Sequence, residues 1–308
     1  MSKTARKRLR YIILSILPKF ISYWWIRQSL DLAFPKSNSK LTFEIASNAH
    51  DLLAALKLVQ QNFEREGYAE KNSNGLRLTP YHLLPETVVI VAKRDNQVLA
   101  TISVVPRTRF GLPLESSFTL NSLLDGKGRV IEVSALAVDP KVRGQQGEIL
   151  YNLLKYMYHC NVGVLQANTE VIGVNPKMVP LYEAILLFNK IPKLSITKYD
   201  FANGAPVVPM MFSFDNADAS YEKTYAKKPS KLNMFEFFKL PPPPQFILPN
   251  AKELDRYLPQ RQPSEFIQIL SMAKEAIATL TLEQKKVIKD LYSPWPISQR
   301  LIGEALHV

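Results

Sequence analysis

The stretch VIEVSALAV, residues 130–138, constrains the fold more than any other part of the sequence. Its apolar, β-branched residues and the Asp139-Pro140 pair that follows predict a strand ending at Val138. Glu132 is the one charged residue within it. An unpaired carboxylate among apolar neighbours has a raised pKa and suits a general base, whereas a paired one is structural. Both interpretations of Glu132 stay open on this pattern alone.

Strands and helices alternate around this segment. After it, Gly144 to Gly147 open a helix with apolar residues at helical spacing, Thr169–Val174 is a buried strand, and Asn175-Pro176 begins another helix that extends to about residue 188. Further strands are predicted at 41–45, 87–92, 98–105, 195–201 and 207–214, with a helix at 50–67 and a hairpin turn at Asp95-Asn96.

The C-terminal part has a different character. Four consecutive prolines, 241–244, cannot lie within a helix or a central strand. Beyond them, residues 263–280 and 281–292 predict two helices, with Thr281 as an N-cap. We therefore expect four regions: a basic amphipathic N-terminal helix (1–35), a catalytic domain (41–214), a linker that includes the prolines (215–248) and a helical appendage (249–308).

The positive charge of the chain is concentrated at its N-terminus. The net charge is +12, and residues 1–40 contain nine basic side chains against one acidic one. The other residues are therefore close to neutral. A nucleic-acid-binding fold normally carries its basic patch on the folded body, so nucleic acid is not an expected partner.

The N-terminal segment LRYIILSILPKFISYWWI, residues 9–26, has apolar residues along one helix face. Its uncharged run is shorter than the ~20 residues of a membrane span, and no signal-peptide cleavage site follows it. Two interpretations remain: residues 1–30 lie on an anionic membrane surface, or the helix packs on the protein's own core. We expect a cytoplasmic protein that can associate peripherally with the inner face of the membrane.

Residue types exclude two further classes of site. A single cysteine, Cys160, rules out an internal disulfide and is typical of a reducing compartment. The four histidines are far apart and show no ligand spacing. We therefore expect no metal site.

Order and spacing of these elements resemble the GNAT acyltransferase fold over roughly residues 41–214. This implies an α+β protein with a mixed, mostly antiparallel central sheet flanked by helices. The segment VIEVSALAVDPKVRGQQGEILYNLLKYMY resembles the strand–turn–helix that holds the donor's pantetheine arm, and the spacing from Asn175 to Tyr182 resembles a later motif of the superfamily. Glu132, together with the preceding GLPLESSF, resembles the FeeM-type long-chain N-acyl amino acid synthases, which are relatives of the acyl-homoserine-lactone synthases.

The resemblance implies roles for individual residues. Glu132 would be the general base and Tyr182 would protonate the leaving thiolate, although a tyrosine on an amphipathic helix is more often a core residue. Asn175 would lie on the pantetheine side, but its position before Pro176 favours a plain N-cap. The remaining binding groups are the backbone N–H groups near the thioester carbonyl and the residues that meet the pantetheine phosphate, namely Leu136, Ala137, Val138, Arg143 and Gly144.

The turn departs from the common pattern in a way that bears on the donor. CoA-dependent relatives resemble Q/R-x-x-G-x-G/A, in which small residues let the backbone bind a diphosphate at a helix N-terminus. Here Gln146 and Glu148 occupy the small positions. A bulky amide and an acid there favour the single phosphodiester of an acyl carrier protein over CoA, with Lys141, Arg143 and Lys155 as candidates for contact with that acidic partner.

We therefore expect an N-acyltransferase that moves a long fatty acyl chain from acyl carrier protein to the amine of an amino acid. The acyl-phosphopantetheine of that carrier, or acyl-CoA, is the donor substrate, and no bound cofactor is expected. Acceptor contacts are expected from loops such as residues 107–128. The alternatives are a CoA-dependent N-acetyltransferase and a membrane-tethered binding module that keeps the fold without turnover.

Overall fold

The computed structural model of the chain describes residues 17–36, 39–145 and 147–308. The N-terminal basic cluster, most of the predicted apolar helix face and Gln146 of the turn therefore lie outside the described residues. Within these ranges one mixed sheet separates two hydrophobic cores, each covered by helices. The predicted α+β architecture is confirmed.

Nine strands are present in the described residues: β1 (Leu41–Ile45), β2 (Val88–Arg94), β3 (Gln97–Pro106), β4 (Val130–Val138), β5 (Thr169–Val174), β6 (Asn189–Lys190), β7 (Thr197–Tyr199), β8 (Ala205–Ser213) and β9 (Phe246–Ile247). Their order is β6-β8-β5-β4-β3-β2-β1-β9, with β7 also paired to β8. Neighbours are antiparallel except for β4–β5 and β1–β9, which are parallel.

The hairpin between β2 and β3 follows the sequence prediction closely. Asp95 and Asn96 have φ angles of 49° and 63°. Two adjacent residues in the left-handed region form the tight turn whose twist suits antiparallel strands, and Asp and Asn tolerate that region better than most side chains. Strands β1, β2 and β3 thus form a regular antiparallel half of the sheet.

The pairing between β4 and β5 is short, and this shapes the middle of the sheet. Only three residue pairs join them, from Val130 opposite Thr169 to Glu132 opposite Val171. Both strands continue beyond the last pair, β4 to Val138 and β5 to Val174. The two strands therefore diverge after Glu132 and leave a gap between them.

Helices cover both faces of the sheet: α1 (Lys19–Arg27), α2 (Ala49–Glu66), α3 (Asn121–Leu124), α4 (Leu150–His159), α5 (Val179–Ile185), α6 (Ala217–Tyr225), α7 (Met234–Lys239), α8 (Pro263–Met272), α9 (Lys274–Ala278), α10 (Leu282–Leu291) and α11 (Pro296–Leu306). Helix α2 lies on one face. The Asn48 side chain caps it by accepting a hydrogen bond from the N–H of Asp51 (2.8 Å), and Gly67, at a φ of 78°, ends it. Helix α4 contributes its buried residues to the opposite face.

Three elements are shorter than the sequence indicates. The helix predicted to open at the glycine-flanked turn begins only at Leu150, after a 3₁₀ turn at Pro140–Gln145. The helix after Asn175 is a 3₁₀ turn followed by α5, which ends at Ile185 instead of near residue 188. The strand predicted at 195–201 is reduced to β7.

Helix α1 packs on the protein along one side only. It packs on α5, where the Tyr23 hydroxyl donates to Glu183 and Arg27 Nε donates to the carbonyl oxygen of Ala184 at 2.8 Å. Its other side is open: Phe20, Trp24 and Trp25 are 74%, 48% and 51% exposed. The described part of the N-terminal helix is therefore docked on the protein along one side and presents aromatic rings along the other.

The region predicted as a linker contains ordered elements. Helices α6 and α7 pack on each other there, and β9, directly after the prolines, extends the sheet beside β1. Phe43 N–H donates to the carbonyl oxygen of Gln245 at 2.9 Å. The proline run thus ends at the sheet edge, where a missing N–H group is tolerated.

Four helices, not two, form the C-terminal part, and they share the hydrophobic core on the α2 side of the sheet. Phe266 and Tyr292 are fully buried there and stack at 5.1 Å between ring centroids. Thr281 caps α10 as predicted, with Gln284 completing a capping box. Throughout the described residues no helix has the length and apolar character needed to cross a bilayer.

Candidate functional site

A cavity of about 350 Å³ lies where β4 and β5 diverge. Its central walls are Glu132 to Leu136 of β4 and Gly173 to Asn175 at the end of β5. This volume is in the range of ordinary ligand pockets, ~300–1,000 Å³. The gap in the sheet is thus the site where a ligand can enter the protein.

The cavity touches both hydrophobic cores that the sheet otherwise separates. On the α2 side it meets Phe63, Tyr199 and Phe201. On the α4 side it is lined by apolar and aromatic side chains of the other core, namely Leu154, Met157, Phe188, Phe212, Tyr221 and Phe238. The cavity therefore passes through the sheet, and its α4 side, which we call the apolar chamber, is the larger apolar surface.

Glu132 lies in the wall of this cavity with none of its surface exposed to bulk solvent. The backbone N–H of Leu114 donates to Glu132 Oε2 at 2.8 Å, and the Tyr199 hydroxyl donates to Oε1 at 3.3 Å. Burial raises the pKa of Glu132 to about 8, although these two hydrogen bonds favour the charged form. The carboxyl group is therefore held in position without a cationic partner among the described residues, which suits a proton acceptor better than a structural ion pair.

A bulge in β4 follows directly. Ser134 and Ala137 pair with Ser103 and Thr101, so Ala135 and Leu136 together face Ile102 alone. Ala135 has a φ of 56°, the left-handed conformation that an alanine seldom adopts. A bulge leaves a residue outside the ladder, and the far edge of β4 has no partner strand beyond Glu132. Among the described residues, the backbone of β4 from Val133 to Leu136 therefore borders the cavity without a partner strand on that side, next to the buried carboxyl group.

Tyr182 and Asn175 are brought to the same cavity. Burial, with a smaller contribution from Glu170, raises the pKa of Tyr182 to about 12, so its hydroxyl keeps its proton at neutral pH. Asn175 Oδ1 accepts from the N–H of Lys177 at 3.1 Å, which confirms the N-cap interpretation, and its Nδ2 donates to the Tyr68 hydroxyl at 3.2 Å. Asn175 thus combines capping with a place in the cavity wall.

Other residues expected at the site lie outside the cavity walls. Ala137 and Val138 belong to the part of β4 that pairs regularly with β3, beyond the bulge. Gly144 is exposed in the 3₁₀ turn before α4, and Arg143 belongs to the same turn, although its side chain lies outside the description. Of the expected N–H groups, the one nearest the cavity is therefore that of Leu136.

The turn expected to meet the donor phosphate is covered by the chain itself. Asn152 Nδ2, near the start of α4, donates to the carbonyl oxygen of Ala33 at 2.7 Å. Any side chain at Gly147 would collide with the carbonyl oxygen of Asp31. Glycine is therefore required at this position for close approach of the N-terminal segment.

Two backbone N–H groups at the end of this turn already have a hydrogen-bond acceptor. Those of Glu148 and Ile149 both donate to the carbonyl oxygen of Gln145, at 3.2 and 3.0 Å. The Glu148 carboxylate accepts from the N–H of Lys36 at 3.4 Å. These two N–H groups therefore already have an acceptor within the turn.

Lys155 does not contact the donor entrance, contrary to the prediction from sequence. Its side chain is fully buried, and Nζ donates to the carbonyl oxygens of Phe237 and Leu240 at the end of α7. A lysine on an amphipathic helix is expected at the surface. Here its ammonium group donates to carbonyl oxygens at the end of a short helix that have no partner within that helix. Lys141, by contrast, is exposed in the turn.

Sequence reasoning missed two polar residues of the site. Glu170 of β5 lines the cavity and is buried, and it stands in an apolar strand as Glu132 does, so the same signal could have identified it. Tyr199, which holds Glu132, lies in a short strand of unremarkable composition. No local pattern indicated that this strand would cross over the carboxyl group.

The arrangement can carry out acyl transfer to an amine. A carboxylate removed from water can accept a proton, a backbone N–H group of β4 beside the cavity can stabilise an oxyanion, and a neutral tyrosine hydroxyl can donate a proton to a leaving group. No group of three or more metal-ligating side chains is found among the described residues.

The family model of the N-acyl amino acid synthase FeeM matches residues 54–213. The match covers just over half of the 308 residues and includes β4, β5, α4 and α5. No curated protein matches the chain in sequence.

Solved structures agree with this fold. That of FeeM, an N-acyl amino acid synthase from uncultured soil microbes, aligns with a TM-score of 0.51 and 19% identity over 60% of this chain and 96% of that chain. The synthase LasI aligns at 0.38 and 18% over 56% and 90%. The CoA-dependent acyl-homoserine lactone synthase BjaI, solved with SAM and isopentyl-CoA, aligns at 0.42 and 15% over 60% and 89%. The match to the FeeM family model and to the FeeM structure confirms the GNAT acyltransferase fold predicted from sequence.

The raised pKa of Glu132 predicts a specific dependence of stability on pH. Its ordinary value is 4.5 and its value in the folded chain about 8, so between these limits the folded chain keeps a proton that the unfolded chain has released. The free energy of unfolding therefore falls as pH rises through this window, by about 1.4 kcal/mol per pH unit for each such group, and levels off above it.

Replacing Glu132 with Gln should remove this contribution and leave that of Glu170, whose pKa burial also raises to about 8. We expect the free energy of unfolding of Glu132→Gln, measured with urea between about pH 5 and 8, to fall with pH less steeply than that of the wild type. The difference in slope should correspond to about one proton. The exposed Glu222→Gln serves as the control and should match the wild type. Equal slopes in Glu132→Gln and wild type would show that Glu132 is ionised throughout this range.

Proposed function

Because the chain belongs to the N-acyl amino acid synthase FeeM family, we propose that this acyltransferase moves a long fatty acyl chain from an acyl carrier protein thioester to the amine of an amino acid. The observation that carries the proposal is the buried Glu132 in the cavity that opens between β4 and β5. An ordinary acetyltransferase needs no apolar chamber of this kind, and a binding module has no use for a buried base without a cationic partner. Neither alternative is favoured.

In the proposed reaction, the Glu132 carboxylate removes a proton from the acceptor ammonium group. The free amine then attacks the thioester carbonyl carbon, and the N–H of Leu136 at the bulge donates to the oxyanion that forms. Collapse of this intermediate breaks the C–S bond, and the Tyr182 hydroxyl protonates the departing thiolate. The nitrogen loses its second proton as the intermediate collapses, and this proton restores the Tyr182 hydroxyl. Glu132 releases its proton to solvent, so protons balance over the cycle.

The two sides of the cavity would divide the substrates. The apolar chamber on the α4 side suits a fatty acyl chain, because its walls are aliphatic and aromatic. The α2 side holds the carboxyl group of Glu132 and its partner Tyr199, and we assign the acceptor to that side. An amine there would approach the thioester carbonyl group from the α2 side of the sheet, while the acyl chain lies on the α4 side.

The covered turn at α4 supports a carrier protein as donor. The N-terminal segment lies against Gly147, and the N–H groups of Glu148 and Ile149 already have an acceptor. A CoA diphosphate would lose the hydrogen bonds on which its binding depends. The single phosphodiester of a carrier-bound arm requires fewer donors, and the exposed Lys141 suits the acidic surface of a carrier protein.

We further assign the exposed side of α1 to an anionic membrane surface at the inner face of the cell membrane. Phe20, Trp24 and Trp25 are the aromatic types that favour such interfaces, and Lys19 beside them is 77% exposed. Helix α1 packs on α5, which carries Tyr182 of the cavity. The proposed membrane contact thus lies close to the chamber in which a lipid product would form.

The base is tested by Glu132→Gln, which preserves the shape of the side chain but cannot accept a proton. We expect acyl transfer to fall by about a hundredfold or more, measured as N-acyl amino acids by mass spectrometry of purified reactions. Wild-type activity should rise with pH around the pKa of about 8. The surface variant Glu222→Gln should keep full activity; similar activity in Glu132→Gln would exclude Glu132 as the base.

The donor is tested by comparing dodecanoyl-acyl carrier protein with dodecanoyl-CoA. We expect kcat/KM to be at least about tenfold higher with the carrier protein, because two N–H groups of the turn already have an acceptor and the N-terminal segment lies against Gly147. Lys141→Glu should lower kcat/KM with the carrier but not with CoA, and Lys286→Glu, on α10, should change neither. Equal or better use of the CoA thioester would contradict the assignment.

Membrane association is tested by replacing Phe20, Trp24 and Trp25 together with serine. We expect binding to vesicles containing phosphatidylglycerol to weaken by at least about tenfold, since the buried aromatic area is lost. A matched variant carries serine at the exposed residues Ile267, Leu282 and Ile297 of the C-terminal helices. If both variants bind vesicles as the wild type does, the assignment of α1 is wrong.

A further inference from the structure

Glu170 places a second carboxyl group in the cavity wall, on the side that the mechanism assigns to the acyl chain. In the parallel pairing Glu170 stands opposite Ile131, whose side chain belongs to the core on the α4 side. Glu170 also raises the pKa of Tyr182 and of Tyr221, both of which line the cavity. The carboxyl group therefore borders the apolar chamber and lies on the other face of the sheet from Glu132.

The partners of Glu170 leave part of its hydrogen-bonding capacity unused. Asn161 Nδ2 donates to Oε2 at 3.3 Å, and Oε1 accepts no hydrogen bond from the described part of the chain. Asn161 is itself fully buried, and its Oδ1 is without a partner among the described residues. Asn161 lies in the π-helical turn Cys160–Val164 that follows α4, an irregularity that is frequent at functional sites.

A plain hydrocarbon chain would make this arrangement unfavourable. It would fill the chamber and leave the carboxyl oxygen facing methylene groups, and a buried polar group without a partner costs about 1–3 kcal/mol. A hydroxyl group on the acyl chain would remove that cost, because it can donate to Oε1 and accept from a protonated carboxyl group or from the Tyr182 hydroxyl. A keto group can only accept, so it fits one protonation state alone.

We infer that the chamber selects hydroxylated fatty acyl chains, with Glu170 as the residue that recognises the hydroxyl group. The inference rests on the proposed acyl transfer and specifies the class of its donor. Glu170 acts on specificity and takes no part in bond making. Tyr182, at the border of the chamber, then serves both the leaving thiolate and the substituent of the chain.

The test compares kcat/KM for acyl carrier protein loaded with dodecanoyl groups and with a set of hydroxydodecanoyl groups that differ in the position of the hydroxyl. We expect the wild type to prefer at least one positional isomer over the plain chain by about tenfold or more. In Glu170→Leu, which replaces the carboxyl group with an apolar side chain of similar size, that ratio should fall to about one or below. Glu170→Gln, which keeps hydrogen-bonding atoms, should retain a preference.

A purely structural role for Glu170 predicts a different outcome. Glu170→Leu would then change the urea midpoint and would lower or preserve kcat/KM for all donors in proportion, with the ratio unaltered. Calorimetric binding of dodecanoic and hydroxydodecanoic acids to the wild-type protein gives the same ratio without turnover. If neither measurement shows a preference for a hydroxylated chain, the inference is wrong. If no donor yields any product, the proposed function is contradicted instead.

Discussion

The early end of the pairing between β4 and β5 is the constraint on which the rest of the structure depends. The strands are joined by three residue pairs and then diverge, and Glu132 is the last paired residue on β4. Divergence opens the cavity, frees one edge of β4 and puts a carboxyl group at the point where the sheet opens. Had the pairing continued, the sheet would be more stable, but its two cores would stay separate and no chain could pass between them.

Several features that each reduce the stability of the folded chain occur together around this gap. Two carboxyl groups are buried without a cationic partner in the described part of the chain, Ala135 adopts a left-handed conformation, and a π-helical turn follows α4. Such departures from local preference are concentrated at functional sites, where the surrounding structure holds them. Here the regular half of the sheet, β1 to β3, and the hydrophobic cores on both faces supply that support.

Local patterns predicted most of the framework, and long-range contacts account for what they missed. The bounds of β4 and β5, the hairpin at Asp95 and the cap at Thr281 follow from neighbouring residues. The burial of Lys155 depends on α7, some eighty residues further along the chain, and the hold of Tyr199 on Glu132 depends on where β7 crosses. Glu170 was overlooked, although a carboxylate in an apolar strand is the same signal that identified Glu132.

We expect the donor to enter between β4 and β5, with its thioester at the bulge of β4. A crystal structure with the stable amide analogue of dodecanoyl-pantetheine, which keeps the carbonyl group, tests this most directly. We expect the carbonyl oxygen of the bound analogue to lie within hydrogen-bonding distance of the Leu136 N–H and its hydrocarbon chain to lie in the apolar chamber. Space for an amine should remain beside Glu132. An analogue bound along the outer face of the α4 turn, with the cavity between the strands empty, would contradict it.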